Sequence, residues 1–98
     1  MSDERRVARL LPWAGAEGRP CYVLGDGTGP VSRVADEIES VQLGMAGDLI
    51  GHADDMLADH RATGRELRFL AGCLVQSLRE VKRVAESRGA RLEHRGQG

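Results

Sequence analysis

From Val31 to Met56 the apolar residues return every three or four positions: Val31, Val34, Ile38, Val41, Met45, Leu49 and Met56, with His52 in the same row. Such a row lies along one face of an α-helix. It cannot line one face of a strand, where side chains alternate with period two. Pro30 opens the segment at a first-turn position, where its missing N–H would have had no partner. The spacing predicts a helix over residues 31–59. Ala35, Ala46, Ile50, Ala53 and Leu57 widen the apolar arc to nearly half the circumference, which suits packing against more than one neighbour. Gly44, Gly47 and Gly51 fall toward the polar side, and each costs ~1 kcal/mol relative to alanine. They read as a weak, bendable stretch rather than a site of close backbone approach.

A second helix starts at "TGRE". Thr63 is placed to cap it and Glu66, three residues on, to reach back, the reciprocal arrangement of a capping box. Leu67, Leu70, Leu74, Leu78, Val81 and Ala85 form its stripe, and Gly89 after Arg88 reads as its C-terminal cap, giving a helix over 64–88. The link around "HRA" is very short, and short links make antiparallel neighbours. The expected architecture is mainly α: an antiparallel helical hairpin with arms ~40 Å long at 1.5 Å per residue. Its seam is expected to join Val34, Ile38, Val41, Met45 and Leu49 to Leu67, Leu70, Leu74, Leu78 and Val81. The first arm is acidic and the second basic, an asymmetry that serves register and partner choice more than stability.

Ahead of the helices, "LLPW" and "CYVL" flank the turn-rich "AGAEGRP". They read as a short β-hairpin-like flap. Pro12 and Pro20 discourage central pairing, so the flap must lean on the helices, with Trp13, Tyr22 and Leu24 packed there. The 98 residues allow one domain. Its expected extent is 10–89, with flexible segments at 1–9 and 90–98. Only three aromatic residues are present, so the core is aliphatic.

Candidate sites are few. "GDGTGPVS" places Gly25, Gly27 and Gly29 ahead of a helix, as a phosphate loop would. However, Pro30-Val31 stands where a Walker loop needs Lys followed by Ser or Thr, and strict alternation breaks the dinucleotide spacing. The stretch reads as a strand-to-helix turn. Asp48, His52, Asp55 and Asp59 border the apolar face of the first helix, but one helix rarely supplies more than two ligands to an ion, and no second histidine-rich segment exists. No serine sits in a nucleophile elbow. Cys21 and Cys73 are far apart in sequence and read as two reduced thiols. We assign no catalytic, cofactor-binding or metal-binding residue and expect no enzyme activity and no cofactor.

Net charge is −1, which gives no global pull toward nucleic acid or membrane. No run approaches the ~18 apolar residues of a membrane span, and "MSDERRVARLLPW" lacks the apolar stretch of a signal peptide. The expected location is the cytoplasm. The order "LPW…GRPCYVL…GPVSRVADEIESVQLGMA…ATGRELRFLAGCL…LREVKRVAESRG" resembles a family of small uncharacterised proteins of actinomycetes over residues 10 to 90. That resemblance implies no activity and no site residue.

Two long helices have no third layer to cover their outer flanks. The expectation is therefore a non-enzymatic interaction or regulatory protein that docks helix to helix, as a homodimer forming a four-helix bundle or on a protein partner. The alternative is a small DNA-binding or nucleoid-associated protein that uses Arg65, Arg68, Arg79, Lys82 and Arg83 of the second helix.

Overall fold

The computed structural model describes the backbone of residues 7–25 and 27–97 and the side chains of 8–25 and 27–92. The fold is mainly α, an antiparallel helical hairpin preceded by a two-stranded flap. Strand β1 (Val7–Ala14) and strand β2 (Pro20–Gly25) are joined through one 3-10 turn, and helices α1 (Pro30–Ala58) and α2 (Gly64–Gln97) follow.

In the flap, the Gly15 N–H donates to the Arg19 carbonyl at 2.7 Å. Glu17 (φ 58°) and Gly18 (φ 74°) turn the chain through the left-handed region. The strands pair antiparallel from Val7 opposite Gly25 to Leu10 opposite Tyr22, and the register then slips before Ala14 meets Pro20. Pro12 sits in the slip, where a residue without an N–H does least harm to the ladder. Its carbonyl turns to the helices and accepts from Gln42 Nε2 at 3.2 Å and Arg83 Nη1 at 3.3 Å. Ser87 Oγ donates to the Leu10 carbonyl at 3.0 Å. Helix side chains thus bond carbonyls of β1 and fasten the flap to both helices.

Two expectations for the flap are corrected. Residues 7–9 are not loose but begin β1, while residues 1–6 lie outside the described residues. Leu11 is the flap's buried aliphatic anchor. Trp13 is half-buried, whereas Tyr22 and Leu24 are exposed, because the alternation of β2 sends both to the outer side.

At the start of α1, Gly29 is extended and Pro30 occupies the first turn; Gly27 has φ 91°, a conformation that suits glycine. The helical turn is held by local polar bonds. Asp59 Oδ1 accepts from the Arg61 N–H at 2.9 Å, and the Ala62 N–H donates to the Asp59 carbonyl at 3.1 Å. The capping box is formed: the Thr63 N–H donates to Glu66 Oε1 at 2.9 Å, and the Glu66 N–H to Thr63 Oγ1 at 3.1 Å. Helix α2 does not stop at Gly89. A capping glycine works by turning left-handed. Among the described glycines only Gly18 and Gly27 do so. The good helix formers Ala90, Arg91 and Leu92 then carry α2 on to Gln97.

The helices meet along a different stripe from the one expected. Buried and half-buried positions of α1 follow Ser32, Ala35, Glu39, Gln42, Ala46, Leu49, Ala53 and Met56, with Ile38 and Leu43 beside them. On α2 they follow Leu70, Cys73, Ser77, Glu80, Val84, Ser87 and Arg91, with Leu74, Val81 and Arg83 beside them. Both rows alternate steps of three and four, the seven-residue repeat of a left-handed coiled coil. Much of the expected seam is turned outward. Val34, Val41, Met45, Leu67 and Leu78 are exposed, with Val41 at 59%, Met45 at 63% and Leu78 at 66%. Small side chains occupy the middle of the contact, and interaxial distance falls as the residues at the contact shrink. The fully apolar core is therefore small: Leu11, Ala35, Ala53, Leu70 and Val84.

Candidate functional site

At the open end of the helical hairpin the seam is ionic. Glu39 is 1% exposed and Arg9 of β1 is 4% exposed. Arg9 Nη1 donates to the Ser32 carbonyl at 3.0 Å and Nη2 to Asp36 Oδ1 at 2.6 Å. The same Nη2 lies 3.3 Å from Glu39 Oε2. Arg88 Nε and Arg91 Nη2 each stand 3.6 Å from Glu39 Oε1. Three cations thus converge on one buried carboxylate, and together they tie β1, α1 and α2. A carboxylate taken out of water requires such company, because an unpaired one is prohibitively costly. The cluster is structural. It lies inside the fold, and its two most buried members face each other at ion-pair distance, with Arg9 Nε and Glu39 Oε2 making no hydrogen bond.

Sequence reasoning missed Arg9 and Glu39. The available signal was Glu39 itself, which falls in step with Ala35, Ala46 and Ala53, at a seam position rather than on the solvated face.

The remaining candidates are dispersed or occupied. Asp48, His52, Asp55 and Asp59 are all exposed. His52, Asp55 and Asp59 share a shallow depression of about 450 Å³ beside the turn with Met56, Arg61 and Glu66. Asp59 is taken by Arg61, whose backbone N–H and then side chain hold its carboxyl below the ordinary range. Glu66 is taken by Thr63, whose backbone and side-chain hydrogen bonds do the same. Among the described residues no group of three His, Cys, Asp or Glu is arranged to hold a metal ion. Gly25, Gly27 and Gly29 form the strand-to-helix connection, with Asp26 outside the described residues. Cys21 and Cys73 are free and half-buried.

The arginine face of α2 is divided. Arg65, Arg68, Arg79 and Lys82 are exposed, whereas Arg83 bonds the flap and Arg88 and Arg91 turn to Glu39.

The hairpin also leaves large apolar side chains on its surface. Besides the outward-turned residues named above, Ile50, Leu57, Phe69 and Val75 are exposed, along both helices. Isolated surface leucines are ordinary, but contiguous apolar surface rimmed by charge marks an interaction site. Among the described residues no helix is long and apolar enough to cross a membrane. No family model matches the chain, and no curated protein or solved structure matches it significantly.

Proposed function

We propose that this chain is a non-enzymatic, cytoplasmic protein–protein interaction or regulatory protein that acts by helix-to-helix docking, as a homodimer. One observation carries the reading. Large apolar side chains on both helices, among them Val41, Met45, Ile50, Leu57, Phe69 and Leu78, remain exposed, while the buried hydrophobic core among the described residues is Leu11, Ala35, Ala53, Leu70 and Val84. A domain of this size is already short of buried surface. Burying Ile50, Leu57 and Leu78 against another helical layer adds roughly 1.5–3 kcal/mol for each side chain fully covered.

The charge pattern supports the same reading. Helix α1 carries six carboxylates against one arginine, and α2 is predominantly basic. Each arm therefore complements the other arm of a neighbouring hairpin. Light scattering coupled to gel filtration tests the proposal. Twice the monomer mass, held across micromolar concentrations, is expected. A monomer throughout would count against the homodimer.

The alternative is duplex binding through the exposed Arg65, Arg68, Arg79 and Lys82. It predicts a linear fall of log affinity with log salt. Absence of duplex binding at low salt would end it.

A further inference from the structure

We infer that the homodimer forms through one particular side of the helical hairpin, with the two turns at the same end and α1 of each copy lying on α2 of the other. The inference rests on the interaction reading above and names its face and partner: a second copy of this chain. The seam repeats every seven residues, and so do its flanks. On one flank stand Leu43, Ile50 and Leu57 of α1 and Leu67, Leu74 and Val81 of α2. In an antiparallel pair these two flanks share a side. Counting outward from the turn sets Leu57 level with Leu67, Ile50 with Leu74 and Leu43 with Val81. The next rung is Asp36 with Arg88, where the apolar ladder ends. Ile50 is 59% exposed, and Leu57 and Leu67 are exposed too. On the opposite side the apolar row is confined to α1: Val34, Val41 and Met45 are exposed there, but α2 beyond Phe69 presents Gln76, Arg79 and Arg83.

The face is large enough. Three rungs and their flanking turns span ~30 Å at 1.5 Å per residue, and two helices are ~20 Å wide. The footprint is about 600 Å² on each copy, or about 1,200 Å² in all, the lower bound of stable interfaces.

Charge selects between the two ways of stacking such faces on a two-fold axis. One sets α1 on α1 and α2 on α2, acid against acid and base against base. The other sets α1 on α2 and brings Asp54 toward Arg68 of the neighbouring copy. The second is favoured because like charges across an interface are repelled. It also sets Leu78, which projects beside the apolar row, level with Gly47 of the other copy. A Cβ built at Gly47 meets nothing within 4 Å, so the hairpin alone leaves that place open. A knob opposite a glycine lets two helical layers close without a gap.

The experiment uses the full chain with both cysteines replaced (Cys21→Ser, Cys73→Ser). Gly47→Cys and Leu78→Cys are made as separate proteins, mixed and oxidised. A disulfide between the two species, with neither crosslinking alone, is expected. In parallel, Ile50→Arg and Leu78→Arg are expected to weaken dimerisation at least tenfold with helical circular dichroism unchanged, while Val41→Arg on the other side leaves the dimer intact. Dissociation by Val41→Arg alone, or crosslinking of the Gly47→Cys protein with itself, would overturn the assigned face while the interaction reading stood. A wild-type chain that is monomeric at every concentration would remove both.

Discussion

Replacing Arg9 by methionine should cost more stability than any other single change on the flap. The side chain is 4% exposed and faces a carboxylate that is 1% exposed. Its removal leaves Glu39 buried with only the two 3.6 Å contacts to Arg88 and Arg91, and it strips the Ser32 carbonyl of its donor. Breaking a buried pair by deleting one partner costs about 3–5 kcal/mol, because the survivor is charged and out of water. Asp36 adds little to that figure. It is largely exposed, and exposed pairs are worth ~0–1 kcal/mol. Total stabilities of small domains are only about 5–15 kcal/mol, so the variant should sit near the edge of folding. At about 4–8 °C per kcal/mol, its melting point should fall by more than about 12 °C.

The companion variant separates mechanism from mere damage. Arg9→Met with Glu39→Leu removes both charges and leaves apolar groups of similar volume, which is often neutral or stabilising. We predict that the double variant recovers most of the loss. Urea unfolding of the wild type, both single variants and the double variant at one fixed protein concentration gives the coupling energy directly. Arg9→Met costing less than about 1 kcal/mol, or Glu39→Leu worsening the Arg9→Met background, would refute the reasoning.

Other expectations follow from the turn, the flap and the glycines. Thr63→Ala removes one half of the capping box and should lower stability by about 1 kcal/mol in urea. Asp59 and Glu66 both hold carboxyl groups below their ordinary range when folded. Their contribution is therefore present above the unfolded carboxylate range and is lost as pH falls through the folded values. Urea midpoints measured from pH 6 down to pH 2.5 should decline at the acid end, and less steeply in Thr63→Ala. Ser87→Ala leaves the Leu10 carbonyl without its donor and should cost about 1–3 kcal/mol, read as a lower melting temperature. Gly27→Ala, at φ 91°, should destabilise by about 1 kcal/mol, whereas Gly44→Ala, with open space around it, should stabilise by a similar amount. Equal effects of the two glycine changes would contradict the backbone argument.

The helices, their antiparallel order, the flap and the Thr63–Glu66 cap are legible in the sequence because each is a local pattern: a period, a short link, a pair of turn formers, a cap. The rotation of the helices is not legible in the same way. Counting hydrophobicity selects Val34, Val41 and Met45 for the seam, since they recur with Ile38 and Leu49 at steps of three and four. The chain instead buries Ala35, Glu39 and Ala53, one position round. Size and pairing decide burial here. Alanine and serine let the helices close, and Glu39 is admitted because Arg9 arrives from thirty residues away. That arrival is non-local, so no window of sequence around Glu39 contains it. Gly89 misleads for a related reason. Glycine permits a left-handed stop without requiring one, and the residues after it prefer to continue the helix.

The hydroxyl of Ser87 reaches a carbonyl seventy-seven positions earlier in the chain. Bridging such a distance is entropically slow compared with zipping two helices across the five-residue bend of residues 59–63. The segment synthesised earliest is therefore the one that settles latest. Glu39 can shed its water only as Arg9 arrives to neutralise it. Its dehydration and the seating of the strand are a single closing event.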